Sequence, residues 1–381
     1  MCYFGTYSAG AGYPVNRVLI EGLRRAGATV WECRAGAADD GEERWKSAQG
    51  PLAWLRGAGR MAVAWIRLVA RWISGPPTDV VIVGYLGHLD VFLARLLTRR
   101  PVALNALLSL HDTVVRDRGL ASERSLAARL LRGIDRSACR AADLVLLDTN
   151  AHIAYFREQF GLDHARFLRV PVGSDRSGRP AAIGPSGASV RVLFVGTFIP
   201  LHGVRTIVAA AQRVEQRGLD IRFRLIGRGQ EFAGAAELVG REGLTRVELV
   251  DRWINGDAYE RELAAADICL GIFGATDKAR RVIPSKVYDA LAAGRPLITA
   301  DTPAARELLT HGVDAWLCPP DDPAALADAL ATLAGDRALR ARLAEGARRT
   351  YEARCSPDAI GRDVLVALER LVRSSSPAAG C

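Results

Sequence analysis

The chain alternates between short runs that are apolar throughout and longer stretches in which apolar residues recur every three or four positions. The first pattern fits strands buried on both faces, and the second fits helices laid on a sheet. Strand-like runs fall at Cys2–Thr6, Thr29–Arg34, Asp79–Tyr85, Val102–Leu110, Asp143–Asp148 and Phe167–Val172. A small-residue loop, Ser8 to Gly12, follows the first run. A helix is then expected from Pro14 to Ala26, stopped by Gly27. The segment from Ser174 to Ser189, SDRSGRPAAIGPSGAS, is rich in Gly, Pro and Ser and has no hydrophobic period, so it reads as a linker. The alternation then restarts, with strands at Arg191–Val195, Ile221–Ile226, Val247–Val250, Ile268–Phe273, Pro296–Ala300 and Ala315–Leu317, and further helices from Pro323 to Val372.

Two successive strand–helix alternations predict an α/β protein of two doubly wound, Rossmann-like domains facing across a cleft. The expected division is an N-terminal domain over 1–175, a linker over 176–189, a C-terminal domain over 190–355, a last helix over 356–373 and a disordered tail over 374–381. Ligands of such sheets bind at the carboxyl ends of the strands.

Composition narrows the function more than the fold. The net charge of +9 points to anionic partners. Nucleic acid is excluded as the partner, because no basic block is interleaved with aromatics and no zinc-finger spacing occurs. Arginine supplies all 51 basic residues except Lys46, Lys278 and Lys286, so two lysines close together in one stretch stand out. Seven scattered cysteines with no C-x-x-C read as reduced thiols, which suits a cytoplasmic protein. The first strand begins at Cys2 and leaves no room for a signal peptide, and no apolar run approaches the ~18 residues of a membrane span.

Several chemistries have no motif here: there is no G-x-x-x-x-G-K-[ST], no H-E-x-x-H and no G-x-S-x-G. Gly227-Arg228-Gly229 follows a strand, but Phe232 stands where a dinucleotide fingerprint needs its third glycine. The stretch with most chemistry is FGATDKARRVIPSKVYDALAAGRPLITAD, Phe273 to Asp301. A basic loop with Lys278, Arg280 and Arg281 leads to Pro284 and Ser285, which are expected to open a helix with serine at the cap. Lys286 then sits in the first turn. A lysine is unfavourable at the positive end of a helix dipole unless an anion occupies the site, and a diphosphate would be such an anion. In the 54–73 segment, Arg56, Arg60, Arg67 and Arg71 fall within about 60° of one another on a helix, with Trp54, Trp65 and Trp72 opposite. That pattern suits either peripheral contact with an anionic membrane or a helix packed on a sheet with its arginines in water.

These motifs together carry a resemblance. Val195-Gly196-Thr197-Phe198-Ile199-Pro200-Leu201-His202-Gly203, Leu225-Ile226-Gly227-Arg228-Gly229, Ala266-Asp267-Ile268-Cys269-Leu270, Pro284-Ser285-Lys286-Val287-Tyr288-Asp289 through Pro296, and Glu307 before Gly312 resemble the donor domain of family 4 of the GT-B glycosyltransferases, the group 1 type. The opening strand with its glycine loop (Gly10, Gly12), Ser109-Leu110-His111-Asp112-Thr113 and Ala142 to Asp148 are similar to the same family's acceptor domain.

The resemblance implies a retaining transferase that moves a hexosyl group from a nucleoside-diphosphate sugar to an acceptor hydroxyl. It implies donor contacts from Gly196, Thr197, His202, Gly227, Arg280, Arg281, Ser285, Lys286, Asp289 and Glu307. His111 and Asp112 would lie at the transferred sugar. Gly10 and Gly12 would lie toward the acceptor. Independently of the resemblance, His111 is read as ending one strand and His88 and Asp90 as ending another, and polar residues at strand ends of this fold line the cleft, so His88 and Asp90 are expected to face the acceptor. The chain departs from the family at three points. Thr197 and His202 stand where many members place an arginine and a lysine on the donor diphosphate, and Arg281 stands where a glutamate is usual. Lys286, with Arg280 or Arg281, is expected to take over that charge. No cofactor and no metal are expected, because no Asp-x-Asp triplet is present. Two further readings stay open: a GT-B sugar-nucleotide epimerase using Asp112 and Asp117, and a sugar-nucleotide-binding homologue without catalysis.

Overall fold

A computed structural model describes residues 1–10, 14–36, 51–176 and 189–375, with backbone alone over 51–56. Gly12, the linker positions 177–188, the tail from 376 and the side chains of Trp54 and Arg56 lie outside the described residues.

The strands are β1 (Cys2–Gly5), β2 (Trp31–Arg34), β3 (Val81–Val83), β4 (Val102–Asn105), β5 (Leu144–Leu147), β6 (Phe167–Arg169), β7 (Val190–Val195), β8 (Ile221–Ile226), β9 (Val247–Val250), β10 (Ile268–Leu270), β11 (Leu297–Ala300) and β12 (Trp316–Cys318). The helices are α1 (Pro14–Arg25), α2 (Pro51–Ile73), α3 (Asp90–Leu97), α4 (Leu126–Ala141), α5 (Asn150–Phe160), α6 (Val204–Gln216), α7 (Phe232–Arg241), α8 (Gly256–Ala265), α9 (Ser285–Ala292), α10 (Pro303–Arg306), α11 (Pro323–Gly335), α12 (Arg337–Arg354) and α13 (Pro357–Ser375).

The chain divides into two compact units. The first, Met1–Asp148, Ile153–Pro171 and Pro357–Cys381, holds a parallel sheet in the order β2-β1-β3-β4-β5-β6. Register runs Cys2 to Trp31 and Val81, Val81 to Val102, Ala103 to Leu144, and Val145 to Phe167. Side-chain alternation sends Cys2, Phe4, Val81, Val83, Val102 and Leu104 under α2–α5, and Tyr3, Ile82, Ala103 and Leu146 under α1 and α13. Both faces of β1, β3, β4 and β5 are therefore covered, which is why β3 and β5 read as unbroken apolar runs, whereas the edge strand β2 leaves Glu32 exposed. The last helix, α13, packs on α1 of this unit, and Arg25 pairs with Asp358 at 3.1 Å.

The second unit, Thr149–His152 and Val172–Ser356, holds a parallel sheet in the order β12-β11-β10-β7-β8-β9. Phe194, Phe223 and Leu225 pack under α6 and α11 through Ile207, Ala211, Leu326 and Leu330. Helix α9 packs on α12, where the Arg348 guanidinium donates to the Ala292 carbonyl at 2.6 Å.

Two expectations are corrected, and one pair of alternatives is narrowed. The run Val102–Leu110 leaves the sheet at Asn105, because Leu107 turns the chain with φ of +54°, in the left-handed region. Pro284, not Ser285, is the N-cap of α9 and makes no side-chain capping bond, and Ser285 is the first helical residue. Trp65 and Trp72 pack on the sheet side of α2, and the Trp65 indole donates to Asp90 Oδ1 at 2.9 Å, so the tryptophan side of this helix is part of the core.

Candidate functional site

In the second unit the site is built at the carboxyl ends of β7 and β8. These strands pair in register, Val195 against Ile226, so Gly196 and Gly227 lie side by side where each strand ends. Gly227 has φ of +150°, and a Cβ there would stand 1.8 Å from the Gly196 carbonyl oxygen. Only glycine lets the two loops approach this closely. The next strand of the sheet, β10, feeds the 274–284 loop and then α9, which brings Lys286 over the end of β7.

Lys286 is buried, with 8% of its surface exposed. Its Nζ lies 4.3 Å from the centre of the Phe194 ring and would be 2.6 Å from a Cβ at Gly196. Among the described residues this ammonium has no hydrogen-bond acceptor. Burial holds its pKa well below that of an ordinary lysine. A cation held away from water at a helix start, beside the ends of two strands, is an arrangement that an anion would complete. His202 completes the group. Its Nδ1 donates to the Thr197 carbonyl, its ring lies 5.7 Å from Phe194, and its Cε1 would be 3.2 Å from a Cβ at Gly196.

The structure thus brings together Gly196, Thr197, His202, Gly227 and Lys286. Ser285 adjoins them at the start of α9. Arg280 is exposed in the preceding loop, while the Arg281 carbonyl accepts from the Thr149 hydroxyl. Two carboxylates expected here are already engaged. Asp289 Oδ1 accepts from Ser174 Oγ at 2.7 Å and from Arg176 Nε at 3.2 Å. Burial pushes the Asp289 carboxyl up, opposed by the Arg176 charge and the Ser174 hydrogen bond. The Glu307 carboxylate accepts from the backbone N–H groups of Asn150 at 2.7 Å and Ala151 at 2.8 Å, and so caps the start of α5.

In the first unit, polar residues gather in the loops that follow β3 and β4. Asp135, fully buried on α4, accepts from Ser109 Oγ at 2.7 Å and from the N–H groups of Leu110 and His111, both at 3.0 Å. His111 is not the end of a strand. It caps a π-helical turn, Asp112–Asp117, and its Nε2 lies 3.4 Å from Glu123. The Arg116 hydrogen bond holds the Glu123 carboxyl below its usual range. His88 Nε2 lies 3.1 Å from the Leu108 carbonyl and 3.6 Å from Asp135, and burial lowers the imidazole pKa.

Asp90 does not end a strand either. It opens α3, and its Oδ2 accepts from the Thr6 N–H at 2.6 Å and the Thr6 hydroxyl at 2.8 Å. Asp90 therefore joins β1, α2 and α3. Gly10 stays in the loop after β1, where its carbonyl accepts from Arg17.

Sequence reasoning missed Asp135, Ser174 and Arg176. Asp135 carried one signal: the helical period places this lone acid of α4 on the face of Ala128, Ala138 and Cys139, all buried.

Comparison with known proteins bears on both units. The family model described as Glycosyl transferases group 1 matches residues 189–336, and that described as Glycosyl transferase 4-like domain matches residues 11–173. The chain is 27% identical over 214 residues to alpha-D-kanosaminyltransferase of Streptomyces kanamyceticus, a match covering 56% of this chain and 48% of that protein. It is 30% identical over 178 residues to phosphatidyl-myo-inositol mannosyltransferase of Mycobacterium leprae, covering 45% and 46%. The chain therefore spans about half the length of these curated relatives. Sucrose-phosphate synthase from Thermosynechococcus elongatus superposes with a TM-score of 0.72 at 18% identity, over 97% of this chain and 98% of that one. Anabaena Alr3699/HepE in complex with UDP-glucose superposes with a TM-score of 0.67 at 17% identity, over 97% and 99%. At such identities the likeness is one of fold. Both halves are matched in order by glycosyltransferase models, and the fold is shared over nearly the whole length: the chain belongs to the group 1 glycosyltransferases of the GT-B fold.

Proposed function

We propose that this protein transfers a hexosyl group from a nucleoside-diphosphate sugar to an acceptor hydroxyl, with retention of anomeric configuration and without a metal ion. The observation that carries the reading is the buried ammonium of Lys286 beside Gly196 and Gly227, which has no acceptor among the described residues. A donor diphosphate supplies the missing acceptor. Its charge grows as the glycosyl bond breaks, and Lys286 with the N–H groups at the start of α9 stabilises it where Mg²⁺ would otherwise be needed. Arg280 and Arg281 add positive charge from the adjoining loop. Asp289 and Glu307 act as supports in this reading: one holds the 174–176 segment and the other caps α5.

His111, with its backbone fixed by Asp135, hydrogen-bonds the transferred sugar and stabilises its oxocarbenium-like transition state. The donor class draws support from HepE, whose structure was solved with UDP-glucose, and from relatives named as glycosyltransferases. Peripheral contact with an anionic membrane belongs to the same reading.

The test is incubation with a panel of radiolabelled sugar nucleotides and candidate acceptors, with and without excess EDTA. Transfer that survives EDTA is expected. Isomerised donor with no transfer, or complete loss in EDTA restored by Mg²⁺ or Mn²⁺, would refute it.

A further inference from the structure

The outer side of the α2–α3–α4 layer in the first unit combines two features that separately would mean little. The first is exposed aliphatic surface on three neighbouring helices. Ile66 is 69% exposed and Ile73 77% on α2, Leu96 82% on α3, and Leu126 80% on α4. Val63 and Leu130 are also exposed. The second is charge of one sign. Arg60, Arg67, Arg71, Arg129, Arg132, Arg136 and Arg140 are exposed on α2 and α4, whereas the acids within the three helices, Asp90 and Asp135, are buried. On α2 the arginines fall within about 40° of one another and flank the sector of Val63, Ile66 and Ile73. The opposite sides of the same helices pack on one face of the first sheet, so the exposed residues belong to one outer layer.

We propose that this layer docks on an anionic lipid bilayer, with the aliphatic side chains at the acyl boundary and the guanidiniums among the headgroups. The proposal rests on the membrane contact in the functional reading above, not on its transfer chemistry. Nucleic acid would use the charge but leave six aliphatic side chains in water. A bilayer uses both, because long cationic side chains reach phosphates while shorter aliphatic ones enter below them. The surface is spread over three helices and is not a single groove, as a planar partner requires. The tryptophans are not the anchors, since Trp65 and Trp72 are committed to the core.

The experiment is flotation of the full chain with vesicles of phosphatidylcholine alone and of phosphatidylcholine and phosphatidylglycerol in equal parts, across a salt series. Two variants are compared: Arg60→Gln/Arg67→Gln/Arg129→Gln/Arg136→Gln, and Ile66→Gln/Leu96→Gln/Leu130→Gln. All seven positions are exposed, and thermal melts confirm folding. The wild type is expected to float with the anionic vesicles only and to detach as salt shortens the screening length. The arginine variant should lose at least about tenfold in partitioning. The aliphatic variant should bind at low salt but detach at lower salt than wild type. Transfer to a water-soluble acceptor should be unchanged in both, so loss of docking and loss of catalysis are told apart. Equal flotation on both vesicles, no flotation at any salt, or wild-type flotation by the arginine variant would overturn the proposal. So would a dimer broken by the aliphatic variant, which would assign the layer to a second copy.

Discussion

Replacing Lys286 with methionine should move stability and catalysis in opposite directions. Methionine has similar length and no charge, so it keeps the contact with Phe194 and removes the ammonium. In the free protein that ammonium is buried without an acceptor among the described residues. An unsatisfied buried polar group costs about 1–3 kcal/mol, and the variant should gain stability of that order at neutral pH. The sign has a pH signature. Burial lowers the folded pKa below the ordinary 10.5, so the unfolded chain takes up the proton first as pH falls through 10.5. The advantage of methionine is therefore small above pH 10.5 and grows below it. With donor bound, the same ammonium faces a diphosphate, and losing one preorganised electrostatic stabiliser costs about 2.7–4 kcal/mol, or roughly 10²–10³ in kcat/KM. Steady-state kinetics and urea melts at two pH values measure both. Lys286→Arg should rescue only in part, because a broad guanidinium must fit where Nζ already stands 2.6 Å from the Cβ position of Gly196. Near-wild-type kcat/KM in the methionine variant, or lower stability than wild type at neutral pH, would refute the reasoning.

Gly227→Ala should lower the unfolding free energy read from urea melts by about 2 kcal/mol or more and raise KM for the donor, because its Cβ would meet the Gly196 carbonyl at 1.8 Å and its φ is +150°; unchanged stability would contradict the close approach of β7 and β8. Stability should also fall as pH drops below about 6.5, since buried His88 resists the proton that the unfolded chain accepts. His88→Gln, which can still donate to the Leu108 carbonyl, should flatten that slope in urea melts, and an unaltered slope would assign it to other groups.

The parts of this fold legible in the sequence were those written in burial. Val80 to Val83 announces a strand covered on both faces, and the structure covers both. Direction is not written in the same way. Ala106-Leu107-Leu108 continues the apolar run of β4, yet the backbone has already left the sheet at Asn105. Ala106 is still buried and Leu107 and Leu108 half-buried there, while the strand has ended. The tryptophans of α2 show a related limit. Their shared face was visible, but apolar patterning cannot distinguish a sheet from a bilayer, and Asp90, distant in sequence, holds the Trp65 indole.

At the candidate site, Lys286 was legible because lysine is scarce in this chain and stands just after a proline at a helix start. Asp135 was not, because its importance lies in three hydrogen bonds to residues 24–26 positions earlier, and backbone N–H groups leave no trace in composition. Asp289 was visible as a carboxylate, but its bonds to Ser174 and Arg176 join segments more than 100 residues apart in sequence.

The most direct test of the account is calorimetric titration of the wild type and Lys286→Met with a nucleoside, its monophosphate and its diphosphate, using the base of whichever sugar nucleotide proves active. If Lys286 receives the diphosphate, affinity should rise sharply from monophosphate to diphosphate in the wild type, and that increment alone should collapse in the variant while nucleoside binding stays the same. An increment that survives unchanged in Lys286→Met would place the phosphate charge elsewhere and contradict the central claim.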